Sequence, residues 1–117
     1  MSKDEIINSF QLELRRGTIV LCVLAKLKKP AYGYSLITEL SKSGISMEAN
    51  TLYPLLRRLE GQGLLVSSWS TDSTKPRKYY VTTEFGKELL PALQEHWLNA
   101  VNSMEKILEV DQNENKN

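Results

Sequence analysis

One cysteine and one histidine in 117 residues leave little reactive chemistry to build with. A lone cysteine excludes a disulfide framework within the chain and a cysteine-rich zinc site. A lone histidine leaves most acid–base and metal constellations unfilled. The sequence has no glycine-rich phosphate loop, no nucleophile beside a base and no carboxylate pair with a matching cleft signature. It therefore reads as a non-enzyme without cofactor or metal. Long hydrophobic runs are missing too. The longest apolar stretch, Thr18 to Leu27, is too short for a bilayer and contains Lys26. The start, Met1-Ser2-Lys3-Asp4-Glu5, has mixed charge and leads to no small-residue cleavage site, so a cytoplasmic protein without a membrane partner is expected.

An excess of one charge is also lacking. Fifteen Lys and Arg against 14 Asp and Glu give a formal charge of +1, which argues against a uniformly basic nucleic-acid binder. The average hides a split. Residues 1–83 hold 12 basic and 7 acidic side chains, whereas residues 84–117 hold 3 and 7. A basic body thus carries an acidic C-terminal segment. With 41% hydrophobic and 25% charged residues, most of the chain can bury one core rather than stay disordered.

Hydrophobic periodicity supplies the elements. Asp4 to Lys28 reads as a helix with Ile7, Phe10 and Leu14 on one stripe and Val20, Leu21, Leu24 and Leu27 continuing it; Gly17 marks a break or bend. Cys22, inside that run, reads as a small buried hydrophobe. A shorter helix opens at Tyr32-Gly33-Tyr34 and runs to about Lys42, with Ser43-Gly44 as its stop. A third runs to Gly61, and two starts are open. With Thr51 as N-cap, Pro54 falls in the tolerant first turn; a start near Ser46 requires a kink. The period then changes to two. Leu64–Ser70 and Arg77–Thr82 read as a hairpin around a polar turn. The last helix begins at Thr83-Glu84, with a kink or a late start expected at Pro91. The tail 111–117 is polar and reads as disordered.

Helix, helix, turn, helix, hairpin and long helix form the order of a winged helix-turn-helix, so the fold class is mainly α with a small β-hairpin. At about 100° per residue, Leu52, Leu55, Leu56 and Leu59 share one face of the third helix. The far side carries Asn50, Pro54, Arg57 and Gly61, flanked by Thr51, Tyr53 and Arg58, so an amide, a hydroxyl, a phenol and two guanidiniums can reach base edges or phosphates. Lys75, Arg77 and Lys78 form a basic shoulder on the hairpin, and Tyr34 and Ser35, at the start of the second helix, complete the expected DNA-binding set. On the last helix Leu90, Leu93, Trp97, Val101, Met104 and Leu108 form an apolar stripe that needs a cover. Either a second copy covers it, together with Ile7, Phe10 and Leu14, or the helix folds back on its own domain. A two-fold dimer would present two recognition helices to a palindromic operator in double-stranded DNA. His96 points away from Trp97 and reads as a surface or interface residue. The remaining functional alternative is a winged helix whose basic surface meets an acidic protein.

The segments Thr51-Leu52-Tyr53-Pro54-Leu55-Leu56-Arg57-Arg58-Leu59-Glu60, Gly63-Leu64-Leu65 and Arg77-Lys78-Tyr79-Tyr80-Val81-Thr82 resemble the PadR family of bacterial transcriptional regulators. Arg16-Gly17-Thr18 and Tyr32-Gly33-Tyr34 are similar as well, and the likeness covers roughly residues 15–97. Two departures stand out: Glu48-Ala49-Asn50-Thr51 replaces the usual Glu-Gly-Thr, and Lys75-Pro76 stands where a glycine commonly precedes the arginine. The resemblance implies a homodimeric repressor that releases DNA when a small molecule binds. It implies the short branch: a DNA-binding domain over 1–83 and one dimerisation helix over 84–110. It further implies an aromatic or drug-like effector in a cavity at the dimer interface, with Trp97 as a wall or else as a dimer anchor. Thr18, Leu21 and Val101 are weaker choices for the other walls.

Overall fold

Leucine spacing sets most of this architecture. The computed structural model describes residues 1–71 and 74–108. Over them the chain forms helices α1 (Lys3–Lys26), α2 (Gly33–Lys42), α3 (Ala49–Gly61) and α4 (Glu84–Leu108). Strands β1 (Ala31–Tyr32), β2 (Leu65–Ser70) and β3 (Arg77–Thr82) complete it. The expected boundary at residue 110 and the tail 111–117 lie outside the described residues, as do Asp72 and Ser73 of the hairpin turn.

α1 starts one residue before the expected Asp4 because Ser2 and Glu5 form a capping box. The Ser2 hydroxyl accepts from the Glu5 N–H at 3.1 Å, and the Glu5 carboxylate accepts from the Ser2 N–H at 3.3 Å. The break anticipated at Gly17 is absent, since the helix runs through it without interruption. A helical glycine costs only about 1 kcal/mol relative to alanine, which a long helix absorbs.

Val23, Leu24, Leu27, Leu36, Leu40, Leu52, Leu56, Leu59 and Leu65 are fully buried and form one core shared by α1, α2, α3 and the sheet. Each such side chain contributes about 1.5–3 kcal/mol by leaving water. Two turns need a left-handed backbone and use glycine there, Gly44 at φ 89° after α2 and Gly63 at φ 79° after α3.

The hairpin is part of a three-stranded antiparallel sheet of order β1-β3-β2. β1, which the sequence reading did not contain, pairs Ala31 with Tyr80 and Tyr32 with Tyr79. β2 and β3 pair Leu65 with Thr82 through Ser70 with Arg77. Alternation places Leu65, Tyr80 and Thr82 on the inner face. The Thr82 N–H donates to the Leu27 carbonyl at 2.7 Å and its hydroxyl donates to the Leu24 carbonyl at 2.8 Å. Thr82 therefore satisfies carbonyls at the end of α1 that the helix leaves without partners.

α4 starts at Glu84, so Pro91 does not delay it. The start is set by Thr83, whose hydroxyl accepts from the Gly86 N–H at 3.0 Å and donates to the Gly63 carbonyl at 2.7 Å. α4 packs against α1 and β3.

Candidate nucleic-acid interface

α2 and α3 pack together as the helix pair, and β2 runs beside α3. Of the two starts left open for α3, Thr51 as cap is excluded and the helix begins between them, at Ala49. Glu48 is the N-cap, and its carbonyl accepts from the Thr51 and Leu52 N–H groups at 3.0 Å each. Glu48 is extended (φ −91°, ψ 154°), so its carbonyl points along the helix and takes the first helical bonds. Pro54 consequently sits inside the helix and offers no N–H to the Asn50 carbonyl. Asn50 and Thr51 fall in the first turn, beside N–H groups not used within the helix.

The two faces of α3 separate as amphipathic spacing requires. Leu52, Leu56 and Leu59 are at most 1% exposed, while Asn50, Thr51, Arg57 and Arg58 are exposed. Arg57 and Arg58 diverge in their surroundings, because Arg58 lines a cleft with α1. Tyr53 is half-buried, with its ring over the backbone of Gly33 at the start of α2. A Cβ at Gly33 would stand 2.6 Å from the ring edge and 2.8 Å from the phenol oxygen, so any larger residue there displaces the Tyr53 ring. Tyr34, next in line, is 75% exposed; Ser35 is half-buried.

The wing cations also part. Lys75 and Arg77 are exposed, and the Arg77 guanidinium lies 4.9 Å from the centre of the Tyr32 ring. Tyr32 in turn stacks on Tyr79 at 3.9 Å between centroids, and the Tyr79 hydroxyl donates to that of Tyr32. The stacked tyrosines give the outer face of the sheet a platform that orients Arg77. Lys78 instead faces inward. Its ammonium is 3.9 Å from a Glu60 carboxylate oxygen and 5.4 Å from the Tyr80 ring centre. The Ser67 hydroxyl donates to the other oxygen of Glu60. Glu60, Ser67 and Lys78 thus tie the wing to the end of α3. With about a third of each charged side chain exposed, the ion pair itself contributes modestly. Neither this cluster nor the tyrosine stack was in the sequence reading. Trp69, 64% exposed on the wing, was missed as a surface residue as well.

The apolar stripe of α4 divides. Leu90 is 7% exposed and belongs to the chain's own core, and Leu93 packs against that core. Val101 is half-buried, whereas Trp97, Met104 and Leu108 stay 42%, 46% and 67% exposed. On α1, Ile7, Phe10 and Leu14 are 45%, 56% and 70% exposed. Thr18 and Leu21 are half-buried on α1, the helix that packs on α4. His96 is exposed. Cys22 is half-buried, and burial pushes its thiol up against a small opposing effect of Lys26, so a reactive thiolate is disfavoured.

Among the described residues no helix is long and apolar enough to cross a membrane, and no group of three His, Cys, Asp or Glu could hold a metal ion.

Comparison with known proteins places these features in a family. The model of the transcriptional regulator PadR-like family matches residues 20–92. The chain is 35% identical over 79 residues to transcriptional regulator Rv3488 of Mycobacterium tuberculosis, covering 67% of this chain and 74% of that protein. A crystal structure of a PadR family transcriptional regulator from Eggerthella lenta superposes with a TM-score of 0.85 at 51% identity, over 92% of this chain and 96% of that one. A PadR-like transcriptional regulator from Bacillus cereus gives 0.74 at 27% identity, over 85% and 99%. From element order, from a polar outward face on its third helix and from these likenesses together, the chain belongs to the PadR-like family of transcriptional regulators.

Proposed function

We propose that the protein is a cytoplasmic homodimeric repressor that binds a palindromic operator. The observation that carries this reading is the exposed pair Asn50 and Arg57, opposite three fully buried leucines of α3, with exposed Thr51 at the flank. α3 enters the major groove in this reading, with Tyr53 and Arg58 at its flanks. Tyr34 and Ser35 approach the backbone from α2, and Lys75, Arg77 and Lys78 supply the wing. Lys78 contributes mainly by bracing the wing against Glu60. Residues 1–83 form the DNA-binding domain. The segment 84–110 is the dimerisation region, and within it exposed Trp97, Met104 and Leu108 of α4 meet a second copy with Ile7, Phe10 and Leu14 of α1. Leu90, Leu93 and Val101 set the seat of that helix.

An aromatic or drug-like ligand at the dimer interface, against Trp97, Thr18, Leu21 and Val101, weakens DNA binding in this reading. Partly exposed aromatic and aliphatic side chains on two helices that pack together support it.

Arg57→Ala tests the carrying observation. If Arg57 reads a base, specific binding falls by about 1–3 kcal/mol, roughly fivefold to 150-fold, while binding to random duplex changes little. Fluorescence anisotropy with both duplexes measures this. An equal loss on both would make Arg57 a phosphate contact and remove it from sequence reading.

A further inference from the structure

We propose that the cleft between α1 and α3 is a binding site for an aliphatic carboxylate, separate from the Trp97 surface. The cleft measures about 780 Å3, within the usual range of small-molecule sites. Arg15, Arg16 and Arg58 all line it. Among the described residues none of these guanidiniums lies within ion-pair distance of a carboxylate. Glu48 also lines the cleft and is the single acidic side chain there among the described residues. Three like charges around one concavity repel one another, and an anion among them relieves that repulsion.

Arg15 is already oriented. One of its terminal nitrogens donates to the Ser46 carbonyl at 2.6 Å, which links α1 to the segment before α3 and leaves the other donors of the fork for an anion. The apolar part of the lining is aliphatic: Leu12 and Ile19 from α1, Met47 before α3, and Pro54 and Leu55 on it. No aromatic ring lines the cleft, so stacking is not offered and a flexible alkyl chain fits better than a flat ring. Thr18, Leu21, Trp97 and Val101 are not among the lining residues, so this site is distinct from the interface surface.

The occupant would touch the flank of α3 through Thr51 and Arg58, both in the DNA-binding set proposed above. A carboxylate there neutralises charge next to the DNA-facing side and lowers DNA affinity. This effect, unlike the binding itself, rests on the DNA-binding reading above.

Calorimetry on the full chain without DNA tests the site, using decanoate, decanol and acetate below micellar concentrations. Decanoate is expected to bind saturably at one per chain, at least tenfold tighter than decanol, which lacks the charge, or acetate, which lacks the chain. Arg16→Gln with Arg58→Gln is expected to weaken decanoate at least tenfold with an unchanged melting curve, since both side chains are exposed. Trp97→Ala is expected to leave decanoate binding in place. Equal binding of decanol, indifference to the arginine pair, or loss with Trp97→Ala overturns the proposal. So does absence of saturable binding, the result if a second copy fills the cleft. Failure of the DNA reading shows separately, as no duplex binding by the unliganded protein.

Discussion

Phe10→Asp combined with Leu14→Asp is expected to turn the protein into a monomer and to lower operator affinity by about two to four orders of magnitude. Both side chains are more than half exposed in the single chain, so their replacement removes nothing from its core. Aspartate is a somewhat poorer helix former, and that local penalty stays below about 1 kcal/mol per site. In the dimer proposed above, the same positions are covered by a partner. Two unpaired carboxylates would then be buried against Trp97, Met104 and Leu108, at several kcal/mol each. Without the partner, the second recognition helix no longer arrives at high effective concentration, and the expected loss of affinity follows from that alone. Sedimentation velocity should report the single-chain mass of 13.3 kDa with unchanged helical circular dichroism. A variant that remains dimeric with full affinity would show that these stripes are not the interface.

Gly86→Ala is expected to be the most damaging single methyl addition. A Cβ at Gly86 would lie 2.5 Å from the Leu64 carbonyl oxygen and 2.6 Å from the Thr82 methyl. The Leu64 carbonyl cannot give way easily, because it accepts from the Thr83 N–H at 3.0 Å. Thr82 is held by its two bonds to the end of α1. Gly33 is equally crowded, but by the far end of a tyrosine side chain, which can swing aside. The expected destabilisation is about 3 kcal/mol, the upper part of the overpacking range, or roughly 12 °C in Tm for a domain of this size. Thermal melting followed by circular dichroism measures it. A shift under roughly 3 °C would mean that α4 can slide on the base of the wing, and that its placement there is not rigid.

Much of the scaffold is legible in the sequence because it rests on local periodicity. The leucine spacing of α3 separated the buried Leu52, Leu56 and Leu59 from the exposed Asn50 and Arg57. β3 runs from Arg77 to Thr82, as alternation indicated. Features that depend on distant partners were not legible. β1 is two residues long and has no period of its own; it exists because Tyr79 and Tyr80 offer it an edge. The inward turn of Lys78 depends on Glu60, and the role of Thr82 depends on carbonyls of α1, neither of which any local pattern announces. The grouping of Arg15 and Arg16 with Arg58 likewise arises only when the fold sets α1 and α3 on two sides of one cleft. The start of α3 was obscured by Pro54, whose preference for a first turn favoured Thr51 as the cap; the surrounding packing outweighs that preference. The Ser2-to-Glu5 capping box, in contrast, follows a local spacing rule and was overlooked.

Selection of bound duplexes from a random DNA pool by the purified full-length chain tests the central claim most directly. A symmetric pair of α3 helices predicts enrichment of a palindrome whose half-sites lie one helical turn apart, about 34–36 Å centre to centre, with base preference at the positions Arg57 reaches. Enrichment of a single asymmetric site, or of no sequence at all under low salt, would contradict it.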